Sequence, residues 1–534
     1  MVNLSLSRII GMLSLGSMLT LPGCPTLNGP ANPGTPPMTK LGNADNGKQV
    51  FRFETFGNEG FWTEAMRLPQ GMMDRKVTPL QALRLGVNFD SDALDEATTQ
   101  ALSAELATDP SGESSALLND PKFLIKLFNF NAVIGLPVKD SSHLGHLDVT
   151  NGSRVGASCA LCHSITDGAL MNTPNSGTIG HRLDGRAAHS LDFGSIIALS
   201  RNPLAYFPLL QVTLGGETIG RSPVGLTENS TEEDAVAYLT NKDYYPVGMF
   251  DDAPDGNGAP MHNMPLFRQD LASPFGSAGE ISTEDNFANQ VYVALLDPTS
   301  ITTPGGRAFE HKVGVKNGDE LVEKYVQVLA ATGVTGYPFV KAAPPSDPSL
   351  AGTEAFALGV RVNEQELIDM NAYVFGLQAP LGVTYDEAAV ARGEILFRTT
   401  GCTTCHNVDQ SKFVPTFIVP MKQIFPGYNP TFVATRVPPL TPIEYTPGAT
   451  FDTKMAVINA SLRGLQKGIA LPLLLDLARK PVFLHDNSVA TLDDLLNPAR
   501  GPAAPHPFYF YDPAFRLDMT AFLNSLDTKP RVLH

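Results

Sequence analysis

Charge is in short supply along this chain. Asp, Glu, Lys and Arg make up 17% of its 534 residues, below the quarter or so usual in soluble domains. What charge there is runs acidic, to a formal net of −16, which argues against a nucleic-acid binder, whose footprint is a basic patch. Acidity would suit a basic electron donor, although alone it speaks only to solubility. Long apolar runs are missing too: beyond residue 23 no stretch is long and apolar enough to span a bilayer as a helix. Tryptophan occurs once, as Trp62, and cysteine five times. Glycine (47) and proline (43) are plentiful, which predicts short helices joined by long loops, in a chain long enough for two or three domains.

Four of the five cysteines fall in two copies of one pattern, Cys159-Ala-Leu-Cys162-His163 and Cys402-Thr-Thr-Cys405-His406. Cys-x-x-Cys-His is the attachment signature of c-type haem. Two thiols a turn apart add across the two vinyl groups of one porphyrin, and the next residue places an imidazole under the iron. Two copies imply two covalently bound haems, with His163 and His406 as proximal ligands. A zinc site built on two Cys-x-x-Cys knuckles, or a redox dithiol, is the alternative, but neither needs a histidine after the second cysteine in both copies.

The fifth cysteine closes an N-terminal segment. Arg8, an apolar run from Ile9 to Leu21 and then Leu21-Pro22-Gly23-Cys24 read as a secretory signal, too short for a permanent span. A small residue before a lone cysteine resembles the bacterial lipoprotein signal, with cleavage after residue 23 leaving Cys24 as the lipidated N-terminus. Residues 24–47 then read as a flexible tether rich in Pro, Gly and Asn. These readings predict an exported bacterial lipoprotein, periplasmic or outer-membrane associated, that meets the membrane through its lipid only. An exported destination fits the attachment of c-type haem outside the cytoplasm.

Helical spacing frames the second motif. Ala388 to Phe397 predicts a helix leading into Gly401 and Cys402, and Ala514 to Leu526 predicts an amphipathic closing helix. Glu364 to Leu377 has the same ending shape: Ala372-Tyr373 and Leu377 match Ala521-Phe522 and Leu526. This weak repeat sets a boundary near Pro380, giving an N-terminal haem domain over 48–380 and a C-terminal one over 381–534. The first domain then carries a large loop-rich insertion, roughly Leu204 to Pro345, a place for a pocket or partner surface. The expected architecture is mainly α, with two cytochrome c-like haem domains.

Segments around the motifs resemble the di-haem cytochrome c peroxidase superfamily, which includes bacterial cytochrome c peroxidases, the enzymes that oxidise methylamine dehydrogenase precursor, and rubber oxygenases. Thr178-Ile179-Gly180-His181 is similar to the segment supplying a distal histidine in the peroxidases. Phe483-Leu484-His485-Asp486-Asn487-Ser488, followed by Ala490-Thr491-Leu492, resembles the family's block near the C-terminal haem, and Ser461-Leu462-Arg463-Gly464 its Leu-Arg-Asn segment. Phe53 to Leu68 and Asp184-Gly185-Arg186 look closer to the rubber-oxygenase branch. The resemblance implies His181 as a sixth ligand of the first haem, with His189 as its substitute, and Arg463 and Arg186 as partners of haem carboxylates. No methionine follows the His485 block where the peroxidases have one. His506 takes the place of a ligand histidine in the rubber-oxygenase branch, with Met455 as the alternative. Glu280, on a glycine-rich stretch within the insertion, stands in the region of the peroxidases' acid/base glutamate.

The resulting expectation is a di-haem oxidoreductase of peroxidase type. Its electrons would come from a small redox protein or a quinol-chain donor and pass from the second haem to the first, where a small oxidant such as hydrogen peroxide is reduced. A pure electron carrier and a haem-dependent oxygenase are the other two readings. Trp62, His143, His146 and His485 are assigned structural or solvated roles.

Overall fold

Asp386 starts a helix by accepting hydrogen bonds from the backbone N–H groups of Ala388 and Ala389, which satisfies donors that no preceding turn can reach. The helix runs Glu387–Thr399, and Gly401 then turns the chain with a positive φ of 88° into the second cysteine motif. Asp512 caps the closing helix Pro513–Asn524 in the same way, with proline in the first turn where its missing N–H costs nothing. The two helices cross at Gly393, where a Cβ would overlap the carbonyl of Asp518. One turn on, Phe397 meets Phe522 with ring centroids 5.3 Å apart. Arg392 braces the crossing with a two-pronged pair to Asp518 at 2.8 and 2.7 Å, exposed on the arginine side and buried on the aspartate side, which adds about 1 kcal/mol.

The same crossing occurs earlier in the chain. The helix Ala44–Phe53 packs along Glu364–Gly376, a Cβ at Gly47 would overlap the Asp369 carbonyl, and Phe51 meets Tyr373 at 5.7 Å. Each opening helix thus reads Gly-x-x-x-Phe, and each closing helix Asp-Met-x-Ala followed by Tyr or Phe. The repeat predicted from the closing helices extends to their partners. Residues 44–47, expected to belong to the tether, are the first turn of the first opening helix and carry its crossing glycine.

This computed structural model describes residues 40–139, 152–277, 279–420, 455–459, 469–500, 506 and 509–530. The signal segment with Cys24, together with His143, His146 and Arg463, lies outside the described residues. The chain is helix-rich, with six small sheets of two or three strands among the described residues, and no described helix is long and apolar enough to cross a membrane.

The stretch from Leu204 to Pro345 is rich in loops, with a single α-helix between 210 and 283 among the described residues, and it is also part of the main core. It forms the helices Glu232–Thr240, Glu284–Gln290, Pro304–Val313 and Gly318–Ala331 and shares the largest core with residues 61–139. Trp62 and Tyr206 are buried in that core, each meeting Phe193 edge-on at 6.2 and 6.0 Å. The Trp62 indole donates to the Leu296 carbonyl at 3.2 Å, as a buried Trp N–H must find an acceptor. Apolar burial explains why this stretch orders: side chains such as Leu209, Leu210 and Tyr325 are fully withdrawn from water, each contributing roughly 1.5–3 kcal/mol.

Candidate functional site

A pair of complementary hydrogen bonds delivers the first motif. The buried Asn58 side chain donates to the Ala157 carbonyl at 2.8 Å and accepts from its N–H at 2.9 Å, and Ser158 donates its hydroxyl to the Arg52 carbonyl at the end of the first opening helix. The chain then enters the turn Ala160–His163. Replacing Asn58 by alanine strands both buried groups of Ala157, an expected loss of about 3 kcal/mol in denaturant unfolding. A change within about 0.5 kcal/mol, the range of ordinary surface substitutions, would show that the loop is held by something else.

His163 is oriented by its second nitrogen. Nδ1 lies 2.9 Å from the Met264 carbonyl, so Nδ1 carries the proton and donates, and the lone pair belongs to Nε2. A metal-binding imidazole needs this arrangement. Burial pushes the ring's pKa down to about 4, which keeps it neutral near pH 7. His406 is likewise pushed down to about 4 by burial, and its ring lies 6.4 Å from that of Phe397 on the second opening helix.

None of the four thiols is in a disulfide. Burial raises Cys159 to about 11, Cys162 to about 12 and Cys402 to about 11, the opposite of the depressed pKa that a redox dithiol requires. Cys159 Sγ lies 3.3 Å from the Tyr292 hydroxyl and 3.8 Å from Met370 Sδ on the first closing helix. Cys402 Sγ lies 3.5 Å from Thr400 Oγ1 and packs in a different core, with Phe397 and Phe522. The two cysteine pairs therefore do not converge on one tetrahedral site. Each motif offers two thiols outside any disulfide and a neutral imidazole on one short turn, and this donor set fits a covalently attached haem.

His181 is not brought to the first motif. In the ladder that pairs Ser164–Thr166 with Arg182–Asp184, the His163 carbonyl accepts from Gly185 while the His181 carbonyl accepts from Asp167. That is four residues farther along, about 13 Å of strand. Its side chain is 62% exposed and paired with Asp92 at 2.7 Å, and this partner raises its pKa. Ligation by His181 would require breaking that pair and moving the strand end. His189 instead sits near the motif, where Ala188 N–H donates to the Cys162 carbonyl. Its ring is stacked on His262 with centroids 4.9 Å apart.

Glu280 lies on the turn between Phe275 and Ile281, its carboxyl beside Gly276. The same turn is tied to the C-terminal half, since Ala470 donates to the Ser277 carbonyl. It is half-buried, so the flexible solvent loop expected there is a packed hairpin. Arg186 pairs with Asp476 at 2.9 Å and stacks over Phe267, linking the two halves of the chain. His506 is half-buried, while its neighbours 501–505 and 507–508 lie outside the described residues. Met455 begins the strand Met455–Asn459, and its side chain is not among those described.

Four residues around the first motif were not singled out from the sequence. Glu284 opens the helix Glu284–Gln290, buried at 4% exposure, with Oε2 lacking a hydrogen-bond partner. Burial, reinforced by Asp285, raises its pKa to about 8, and its charge is felt at Cys159. Tyr292, on the following turn, reaches the Cys159 sulfur. Met264 and Asn263 clasp the motif from about a hundred residues away, the Asn263 amide donating to the Cys162 carbonyl. An acidic residue directly after a Thr cap was the available signal for Glu284, but such pairs begin many surface helices. No family model, no curated protein and no solved structure matches this chain.

Proposed function

We propose that this protein is a di-haem c-type oxidoreductase of peroxidase type. One haem would be attached at Cys159 and Cys162 above His163, the other at Cys402 and Cys405 above His406. One observation carries the reading: each Cys-x-x-Cys-His turn belongs to its own crossed helix pair, with the same glycine, aspartate and aromatic at both crossings. That repeat supports two cytochrome c-like units, the first opened by a long insertion.

Bound there, the haems would supply iron redox chemistry. The chain's part is to hold His163 neutral and aimed through the Met264 carbonyl, and to provide a proton. Reduction of a small oxidant such as hydrogen peroxide, with electrons from a small redox protein, consumes protons, which a side chain still protonated near pH 7 can deliver. Glu284, close to Cys159 and raised to about 8, is better suited to this than Glu280. The first motif is therefore the better place for chemistry.

Haem content tests the reading directly. Pyridine haemochrome assay and intact-mass measurement are expected to find two covalent haems per chain, one in each of the variants C159S/C162S and C402S/C405S, and none in the fourfold variant. A single haem in the unmodified chain would end the proposal. Peroxide-dependent oxidation of a reduced cytochrome would then separate a peroxidase from a carrier, which reacts with no oxidant. Oxygen uptake with a polyene would point to an oxygenase instead.

A further inference from the structure

Between the two motifs lies a group of basic side chains to which the haem-attachment chemistry assigns no role. Residues 262–264 form a strap. Met264 and Asn263 hold the first motif, and His262 turns the other way, toward the C-terminal half. His262 N–H donates to the His485 carbonyl at 2.7 Å. Its Nδ1 lies 2.5 Å from Asn487 Oδ1, and its Nε2 lies 2.5 Å from Lys480 Nζ. Asn487 Oδ1 can only accept, so Nδ1 carries the ring proton and Nε2 accepts from the lysine. His189 stacks on this ring with its own Nδ1 buried and lacking a hydrogen-bond partner.

Lys480 is the anomaly in this group. Three other cations withdrawn from water pair with carboxylates, Arg182 with Asp90, Arg361 with Asp285, and Lys324 with Glu228, whereas Lys480 is half-buried. Lys480 meets a neutral imidazole instead. Removal from water pushes its pKa down to about 8, and no carboxylate among the described residues counters that shift. The same environment pushes His189 to about 3 and His262 to about 2, so neither ring competes for the charge. A cation taken out of water without a counter-ion is costly unless an anion joins it. A haem brings two carboxylates, and this group joins the strap that touches the first motif to the segment whose Phe483 and Leu484 share a core with Cys402.

We propose that Lys480, positioned by His262 and the stacked His189, is the receptor for a haem carboxylate, an inference that rests on the di-haem reading. The pair is charge-assisted and joins the strap that aims His163 to the segment containing His485 and Asn487. Either haem is a chemically equivalent source of the carboxylate, and the experiment separates them.

The test is a spectroelectrochemical titration of the full haem-loaded chain as K480Q and K480R, repeated in the C159S/C162S and C402S/C405S backgrounds. A cation beside the carboxylate favours the reduced haem. K480Q is therefore expected to disfavour reduction of one haem about tenfold, about 59 mV for a one-electron couple, while K480R stays near the unmodified value. The background that retains the shift identifies the source. Unchanged potentials, or equal shifts in K480Q and K480R, would overturn the inference. If K480Q takes up no haem, redox-difference infrared spectra of K480R decide it: a displaced haem carboxylate band supports the pairing, and an unmoved one overturns it. A chain without covalent haem overturns both this inference and the reading beneath it, whereas two haems with unmoved potentials overturn this inference alone.

Discussion

Replacing Gly393 by alanine is expected to lower stability by about 3 kcal/mol, although alanine is the better helix former. At an unobstructed helical position the exchange gains roughly 0.5–1 kcal/mol, because glycine gives up more backbone freedom on folding. At Gly393 the new methyl would overlap the Asp518 carbonyl, which is backbone and cannot rotate away. The helices Glu387–Thr399 and Pro513–Asn524 must then separate. Phe397 and Phe522, exposed by 2% and 0%, lose their contact, and the Arg392–Asp518 pair is stretched. Overpacking of this kind costs about 1–3 kcal/mol, and partial loss of a buried aromatic contact adds to it. Gly47→Ala, which meets the Asp369 carbonyl, is expected to behave alike. Gly376 is the control: a Cβ there meets open space, so Gly376→Ala should be neutral or mildly stabilising. Denaturant unfolding of the haem-loaded chain reads all three, and a stabilised Gly393→Ala would show that the helices do not cross at this residue.

Glu284→Gln is expected to raise stability while lowering activity. The carboxyl is buried, and its pKa is raised from 4.5 to about 8. Below the ordinary value both folded and unfolded chains carry the proton, and the residue contributes nothing to pH dependence. Between about 4.5 and 8 the unfolded chain has released it while the folded chain retains it, so stability falls as pH rises through this window. Over that span the penalty grows to about 5 kcal/mol. Glutamine does not titrate, so the variant should match the parent near pH 4 and exceed it increasingly toward pH 8 in thermal unfolding. Parallel pH profiles would mean that Glu284 is ionised in the folded chain. If the same proton serves the oxidant, peroxide turnover should fall about 10²–10⁴-fold in the variant, and a structural role alone would not join a gain in stability to that loss.

Much of the helical frame was legible beforehand. Apolar spacing and turn residues located Glu364–Gly376, Glu387–Thr399 and Pro513–Asn524 to within a few residues, because helix periodicity and capping are local properties. The first opening helix was not seen: Asn43, Asp45, Asn46 and Gly47 have the composition of a linker. It is helical because Gly47 and Phe51 pack on Asp369 and Tyr373, more than three hundred residues away. The stretch 204–345 is as rich in loops as its composition suggests, but glycine and proline content does not reveal that Leu209, Tyr206 and Tyr325 share a core with Trp62.

By itself the sequence determined the two Cys-x-x-Cys-His turns, because two thiols and an imidazole within five consecutive residues are held together by the chain. Everything around those turns was left to the tertiary structure. A strand ladder carried His181 away to Asp92, burial distinguished Glu284 from Glu280, and the strap 262–264 brought Met264 to His163 and Lys480 to His262. Those choices depend on which surfaces pack and which polar groups lose water, and neither is written in the spacing of residues along the chain.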